Sequence, residues 1–292
     1  MFGHKWFLKI GELSDSSISG LIQDANELIN CSISFHQGID HKGQPQTGVY
    51  VGDIILTYDG LPSSDVIYWA MTTNKLHSGA LVLCDANDIP INKVFFEDGI
   101  CVGMRIDYTR NGKSPAVTQL RLQARKIISG EETLTQNWTR NVPNASEGSK
   151  QQRAKSEIFK IFQPIGKITV RLDMNGQSYE IDSFSTNFSQ GTDFKGEPQE
   201  DTQGGVVNFS IGTLPDKTFN RWMLKSEELK DGVFVFEQGD QNSPLKVKFT
   251  EAFCVHMATR TSISEGLYTQ YTISANEIDL NGKWLYRNFK LQ

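Results

Sequence analysis

Gln37-Gly38-Ile39-Asp40-His41-Lys42-Gly43-Gln44-Pro45-Gln46 returns 153 positions later as Gln190-Gly191-Thr192-Asp193-Phe194-Lys195-Gly196-Glu197-Pro198-Gln199. Both copies read Q-G-x-D-x-K-G-x-P-Q, and each follows a short alternating stretch that ends in Phe35-His36 or Phe188-Ser189. The same offset carries Leu61-Pro62 onto Leu214-Pro215, Trp69 onto Trp222, Gly79 onto Gly232, and Cys101-Val102 onto Cys254-Val255. It also carries Phe96 onto Phe249 and Met104 onto Met257. After a two-residue shortening the offset is 151, and Thr118-Gln119 falls on Thr269-Gln270, Ala124 on Ala275 and Ile127 on Ile278. So many unlike residue types do not align by chance. The chain is an internal duplication, and the repeat sets the fold.

A chain of 292 residues suggests two domains, and the duplication places them at 1–138 and 166–292 with a polar linker at 139–165. Hydrophobic residues make up 38%, beside many Gly, Ser, Thr, Asn and aromatic residues, which suits β structure better than helical bundles. A net charge of −5 gives no basic footprint and argues against nucleic acid as a partner. The start lacks the long apolar core of a signal peptide, and no apolar run is long enough to span a bilayer. The expected route is therefore a soluble cytoplasmic product whose export uses no cleaved leader. Cysteines at 31, 84, 101 and 254 form no C-x-x-C pair, which favours buried thiols over a disulfide or metal framework.

Trp6 to Ile10 and Ile168 to Asp173 open the two repeats as strands, and Asn175-Gly176 follows the second as a hairpin turn. The first repeat inserts a segment here instead. Its Ile18, Leu21, Ile22, Ala25, Leu28 and Ile29 keep helical spacing, so a short helix over 19–29 is expected against the barrel. Strands Cys31–His36 and Asp182–Ser189 run into the decapeptides. Two glycines, a proline and an aspartate exclude a central strand there and predict a long excursion to about Gly52 and Gly205. The next strands share an inward set of Ile54/Val207, Leu56/Phe209 and Tyr58/Ile211. A helix with Trp69 or Trp222 on its core face follows in both repeats. Strands at Ala80–Cys84, Lys93–Glu97, Gly99–Tyr108 and Val117–Ile127, with their counterparts, complete seven or eight short strands. The fold class is mainly β: two tandem small β-barrels, each with one short α-helix. Between them about Ser129 to Pro164 is a polar tract. Its Arg140, Lys150, Arg153 and Lys155 suit a solvated linker more than a partner contact.

No catalytic, cofactor or metal residue emerges. Cys31, His36 and His41 near Asp40 invite a metal reading, yet Ser189 and Phe194 stand where the second copy needs its histidines. A duplicated metal site keeps its donors. Asp40/Asp193 and Lys42/Lys195 sit inside a Gly-Pro loop, where turn capping and a surface ion pair fit better than acid–base work. G-x-S-x-G, P-loop and H-E-x-x-H signatures are absent from the sequence. The duplication retains loop shape, a helix and a barrel core, which is the pattern of an assembly element.

The strand ending Ser34-Phe35-His36-Gln37, the Asp40…Gly43-x-Pro45 excursion, the Trp69 helix and the Gln119…Ala124 strand recur in the second half as Ser189-Gln190, Asp193…Gly196-x-Pro198, Trp222 and Gln270…Ala275. In order and spacing they resemble Hcp, the tube protein of the bacterial type VI secretion system, in the TssD form typical of Bacteroidetes. The resemblance covers both repeats and not the linker. It implies barrels packed edge to edge into six-membered rings that stack as a tube, possible contacts with sheath, spike and effectors, and no membrane insertion. It also assigns ring-stacking contact to Gln37, Gly38, Asp40, Lys42, Gly43 and Pro45, and to Gln190, Gly191, Asp193, Lys195, Gly196 and Pro198. Ordinary members are single barrels, whereas here two are fused, so three chains suffice for a ring with true three-fold and approximate six-fold symmetry. A barrel of this size is about 35 Å across and the linker spans about 30 to 35 Å, so placement within one ring or across two stacked rings both remain open. A tube-end piece or spike adaptor of the same apparatus is the alternative, and a ligand-binding barrel is a more remote one.

Overall fold

The computed structural model describes residues 3–11, 13, 18–22, 25–138, 159, 161, 166–239, 242–262 and 266–287. Each repeat supplies eight strands in the same order. The first has β1 (Lys5–Ile10), β2 (Asn26–Leu28), β3 (Asn30–Ile39), β4 (Pro45–Asp59), β5 (Leu76–Cys84), β6 (Pro90–Thr109), β7 (Ala116–Ser129) and β8 (Glu132–Thr135). The second has β9 (Ile168–Met174), β10 (Gln177–Ile181), β11 (Ser183–Ser189), β12 (Val206–Ile211), β13 (Lys230–Gln238), β14 (Asn242–Ser262), β15 (Gly266–Leu280) and β16 (Lys283–Tyr286). Hydrogen bonding follows β2-β1-β5-β6-β7-β4-β3 in the first and β10-β9-β13-β14-β15-β12-β11 in the second. Equivalent bonds extend the β3–β4 and β11–β12 ladders, from Ile29 N–H to Thr57 O (2.8 Å) and from Asp182 N–H to Ser210 O (2.9 Å). The fold is thus mainly β, two barrels of one topology.

Local chemistry accounts for the turns and caps. Asn175 and Gly176 take φ of 53° and 74°, the left-handed pair of a tight hairpin. Helix α2 (Ser64–Ala70) starts where the Ser63 hydroxyl accepts from Val66 N–H, and helix α3 (Lys217–Leu224) where the Asp216 carboxylate accepts from Phe219 N–H. Trp69 and Trp222 are both buried. Their indoles point to different carbonyls, Lys75 O at 3.0 Å and Ala252 O at 2.9 Å. The inward set read from alternation is buried throughout. The second barrel fills its core with aromatics, placing Phe209, Phe219, Phe234, Phe236 and Tyr271 where the first has Leu56, Val66, Leu81, Leu83 and Leu120.

Four expectations change. The inserted segment is helical only at α1 (Ile18–Ile22), and Asn26–Leu28 pairs with β1 as a strand; Leu28 is buried from a strand, not a helix face. The excursion after Phe35 is a β-hairpin, with β3 running to Ile39 and β4 starting at Pro45. Lys93–Glu97 and Gly99–Tyr108 are one strand, β6, bent at Asp98 (φ 52°), as β14 bends at Glu251 (φ 49°). The polar tract begins later than Ser129, because β8 pairs with β7 and Gln136 N–H donates to Arg125 O. Two of its apolar residues are core. Ile161 is buried and its carbonyl accepts from Ser63 N–H, while Phe159 packs on His77 (4.9 Å) and Trp69 (6.0 Å). The four tract cations lie outside the described residues. Among the described residues no helix is long and apolar enough to cross a membrane.

Candidate assembly interface

The two barrels join through their sheets. Strand β11 runs antiparallel to the second half of β6, from Ser183 opposite Thr109 to Ser189 opposite Gly103. Gln190 N–H donates to Val102 O (2.9 Å) and Arg110 N–H to Asp182 O (2.8 Å), which fixes the hydrogen-bonding parity of the seam. Phe184, Thr186 and Phe188 face the core; Ser185, Asn187 and Ser189 face the opposite, polar side with Arg105. Arg110 pairs with Glu180 (2.5 Å) and Asp182 (3.3 Å), and that bond to Asp182 is the main reason its basicity is raised. Tyr108 meets Phe236 edge-on, at 6.1 Å between rings.

Both decapeptides make the same turn. The Asp40 carboxylate accepts from Lys42 N–H and Gln44 N–H, both at 2.8 Å, and Asp193 accepts from Lys195 N–H and Glu197 N–H, both at 2.9 Å. Gly43 and Gly196 follow with φ of 79° and 76°, a left-handed conformation that a side chain would strain. The pattern D-x-K-G therefore encodes a capped turn. Surroundings separate the copies. Trp138 Nε1 donates to Lys195 O (3.1 Å), and Gln123 Oε1 would stand 2.2 Å from a Cβ at Gly196. The Arg121 guanidinium reaches Gln190 O, and Gln190 Nε2 donates to Thr202, whose hydroxyl donates to Ala70 O. The first copy meets none of this and projects from the molecule.

Equivalent residues record the difference. Phe188 is fully buried and Phe35 is 50% exposed; on the receiving side Val102 is buried and Val255 is 52% exposed, while Met71 is 5% exposed and Leu224 79%. Pro198 and Glu197 are buried where Pro45 and Gln44 are exposed. Among the described residues, strand β3 pairs only with β4, and residues 253–262 of β14 pair only with β15. The chain thus presents one unpaired edge at each end of the joined sheet. Sequence reading placed the decapeptides and tryptophans but missed Val102, Arg121, Gln123 and Trp138, the residues that receive a loop. Only Val102 left a signal in the repeat offset, a valine in both copies; Arg121 and Gln123 fall on Thr272 and Ser274 and left none.

Little here resembles a reactive centre. Among the described residues no three His, Cys, Asp or Glu side chains converge, and Cys31, His36 and His41 do not gather. Burial pushes the Cys101 and Cys31 thiols up to about 12, away from thiolate chemistry.

A family model described as hemolysin coregulated protein Hcp (TssD) matches residues 2–139 and again 166–289. Among solved structures, Hcp1 from Flavobacterium johnsoniae is 27% identical over 41% of this chain and 99% of its own, with a TM-score of 0.39. Hcp1 from Salmonella typhimurium is 19% identical over 46% and 92%, with a TM-score of 0.34. A chain of the anti-feeding prophage baseplate is 11% identical over 41% and 97%, with a TM-score of 0.31. No curated protein sequence matches significantly. Matched twice by one family model along nearly its whole length, the chain belongs to the Hcp (TssD) family of type VI secretion tube proteins, as a tandem duplication.

Proposed function

We propose that three chains close a ring of six barrels in which the seam inside each chain is repeated between chains. Residues 1–138 and 166–292 are the two barrels and 139–165 their tether. The carrying observation is the reciprocal burial: Phe188, Gln190, Glu197, Pro198 and Val102, all buried at the internal seam, have exposed counterparts in Phe35, Gln37, Gln44, Pro45 and Val255 on the two free edges. The 153-residue offset turns the internal register into an external one, with β3 of one chain along β14 of the next, Asn30 opposite Ser262 and His36 opposite His256. Phe35 then packs beside Met257, as Phe188 does beside Met104. Such a heterologous contact generates rings when its rotation closes.

In this reading Gln37, Gly38 and Pro45 serve the lateral seam as Gln190, Gly191 and Pro198 do inside the chain. Gly196 and Lys195 O of the second turn are taken up by Gln123 and Trp138, so only the outward side chains at the two tips, His41 and Phe194, are left for a stacked ring. Phe194 meets Tyr50 edge-on at 5.5 Å, so both tips lie on one side. The polar face of the joined sheet suits cargo in the lumen. The work is structural and non-enzymatic; the chain is made in the cytoplasm and leaves through the apparatus, meeting sheath or spike.

The seam parity supplies a test. Even-numbered residues of β6 bond to β11, so on β14 their counterparts Met257, Thr259 and Thr261 would bond to the neighbour. Thr259→Pro removes one such donor and leaves the β14–β15 ladder in place, because proline is tolerated on an edge. Native mass spectrometry and electron microscopy should find a three-chain annulus for the unsubstituted protein and single chains for Thr259→Pro. A protein that is monomeric at every concentration overturns the proposal.

A further inference from the structure

The external register places two imidazoles face to face, and this inference rests on the ring reading above. Inside the chain, Ser189 lies opposite Gly103. The flanking bond from Gln190 N–H to Val102 O makes them a non-hydrogen-bonded pair, the position where antiparallel side chains come closest, about 4.5 to 5.5 Å between Cβ atoms. Both project to the polar face, since a Cβ at Gly103 would sit 3.2 Å from the Arg121 Cβ and the same groove is lined by Arg105, Asn187 and Ser189. The repeat offset converts Ser189 into His36 and Gly103 into His256. Both histidines are exposed.

The rest of the groove changes in step. Arg121, which fills the space over Gly103 and lies across the sheet from it, becomes Thr272, across from His256. Arg105 becomes Ala258. Two cations that line the internal groove are therefore lost from the external one, and room opens beside two imidazoles. Arg260 stands four residues along β14, about 13 Å away at the rise of a strand, too far to fill the gap. Imidazole is the commonest ligand of Zn²⁺, Cu²⁺ and Ni²⁺, and facing rings at this spacing can both reach one ion at about 2.0 to 2.1 Å.

We propose that His36 of one chain and His256 of the next form a two-histidine site for a divalent transition-metal ion at each seam between chains. The seam inside the chain, with serine and glycine at these positions, has no such donors. A ring therefore carries three sites on alternate seams, and metal strengthens contacts between chains without touching contacts within them.

Zinc chloride is the probe, with the full chain and native mass spectrometry as the readout. The expected result is one ion per chain in the associated form, association strengthened roughly tenfold, and reversal by EDTA. His36→Ala and His256→Ala should each abolish zinc uptake while still associating in metal-free buffer. Because the donors come from different chains, an equal mixture of the two variants should regain roughly a quarter of the sites, the seams at which each partner happens to supply its intact histidine. Zinc uptake that survives either substitution, or a mixture that regains none, overturns the proposal. Chains that associate but take up no zinc keep the ring and sink the metal site; chains that never associate, with or without zinc, sink both.

Discussion

The two decapeptides share a pattern, a turn and a glycine conformation, yet one is buried against a neighbour and the other stands free. Asp193 and Asp40 cap their loops with the same pair of bonds, but only the second loop is held by Trp138, Gln123 and Arg121. The chain therefore contains one buried seam and, on the ring reading proposed above, the two halves of another. A residue type at equivalent positions should serve folding in one copy and association in the other. Phe188→Ala empties a fully buried site and should cost about 3 to 5 kcal/mol of unfolding free energy by denaturant titration, or more if the seam opens with it. Phe35→Ala should leave that titration within about 0.5 kcal/mol and weaken association instead. Equal losses of stability would break the comparison.

The receiving side sharpens it. Val255→Asp and Leu224→Asp place a charge on surface exposed in the single chain, so each should leave the melting temperature nearly unchanged. Association should fall by roughly a hundredfold, the scale of losing a central interface residue, or about 2.7 kcal/mol. Val102→Asp buries the same charge and should prevent folding. Sedimentation equilibrium against circular dichroism separates the outcomes.

The barrels also differ beside the helix tryptophan. His77 packs between Trp69 and Phe159, and burial first, then Lys75, lowers its pKa to about 4; the second barrel has Lys230 there, paired with Glu228. An unfolded histidine titrates near 6.5, so between about pH 4 and 6.5 the unfolded chain binds the extra proton and acid favours unfolding. Stability from this group is complete above about pH 6.5 and is lost as pH falls toward 4. The loss is about 1 to 2 kcal/mol, discounted because the ring is partly solvated. His77→Phe should flatten that slope in a pH series of denaturation curves, and an unchanged slope assigns it elsewhere.

Much of each barrel was legible because alternation reports which side chains face inward. Ile54, Leu56 and Tyr58 announce a half-buried strand wherever their neighbours lie. The caps Ser63 and Asp216 were legible too, since capping is a bond made within four residues. Edges were not. Phe35 and Phe188 follow similar stretches, and nothing local states that β11 finds β6 on its second side while β3, among the described residues, pairs with β4 alone. Asn26–Leu28 is too short to display a period of two, so the helical spacing around it dominated. Phe159 and Ile161 sit in a polar tract, and their burial depends on a pocket more than eighty residues away in sequence, beside Trp69 and Ser63. The shared turn of the two loops was legible; the residues that receive the second loop, Val102, Arg121, Gln123 and Trp138, were not, because their partner lies far along the chain.

The smallest effect isolates the turn from its surroundings. Asp40→Ala and Asp193→Ala each remove two backbone-to-carboxylate bonds, and the local chemistry is the same. At Asp40 the freed N–H groups face water, which replaces the bonds, so stability should change by no more than about 0.5 kcal/mol. At Asp193 the freed Glu197 N–H belongs to a buried residue, and the loop carries Lys195 O to Trp138 and Gly196 to Gln123. Loosening that turn should cost about 1 to 2 kcal/mol and expose Trp138, seen as a red shift in its fluorescence. If the two substitutions prove equal, the loop of the second repeat is no more tightly held than the free one, and the internal seam loses its standing as a template for the contact between chains.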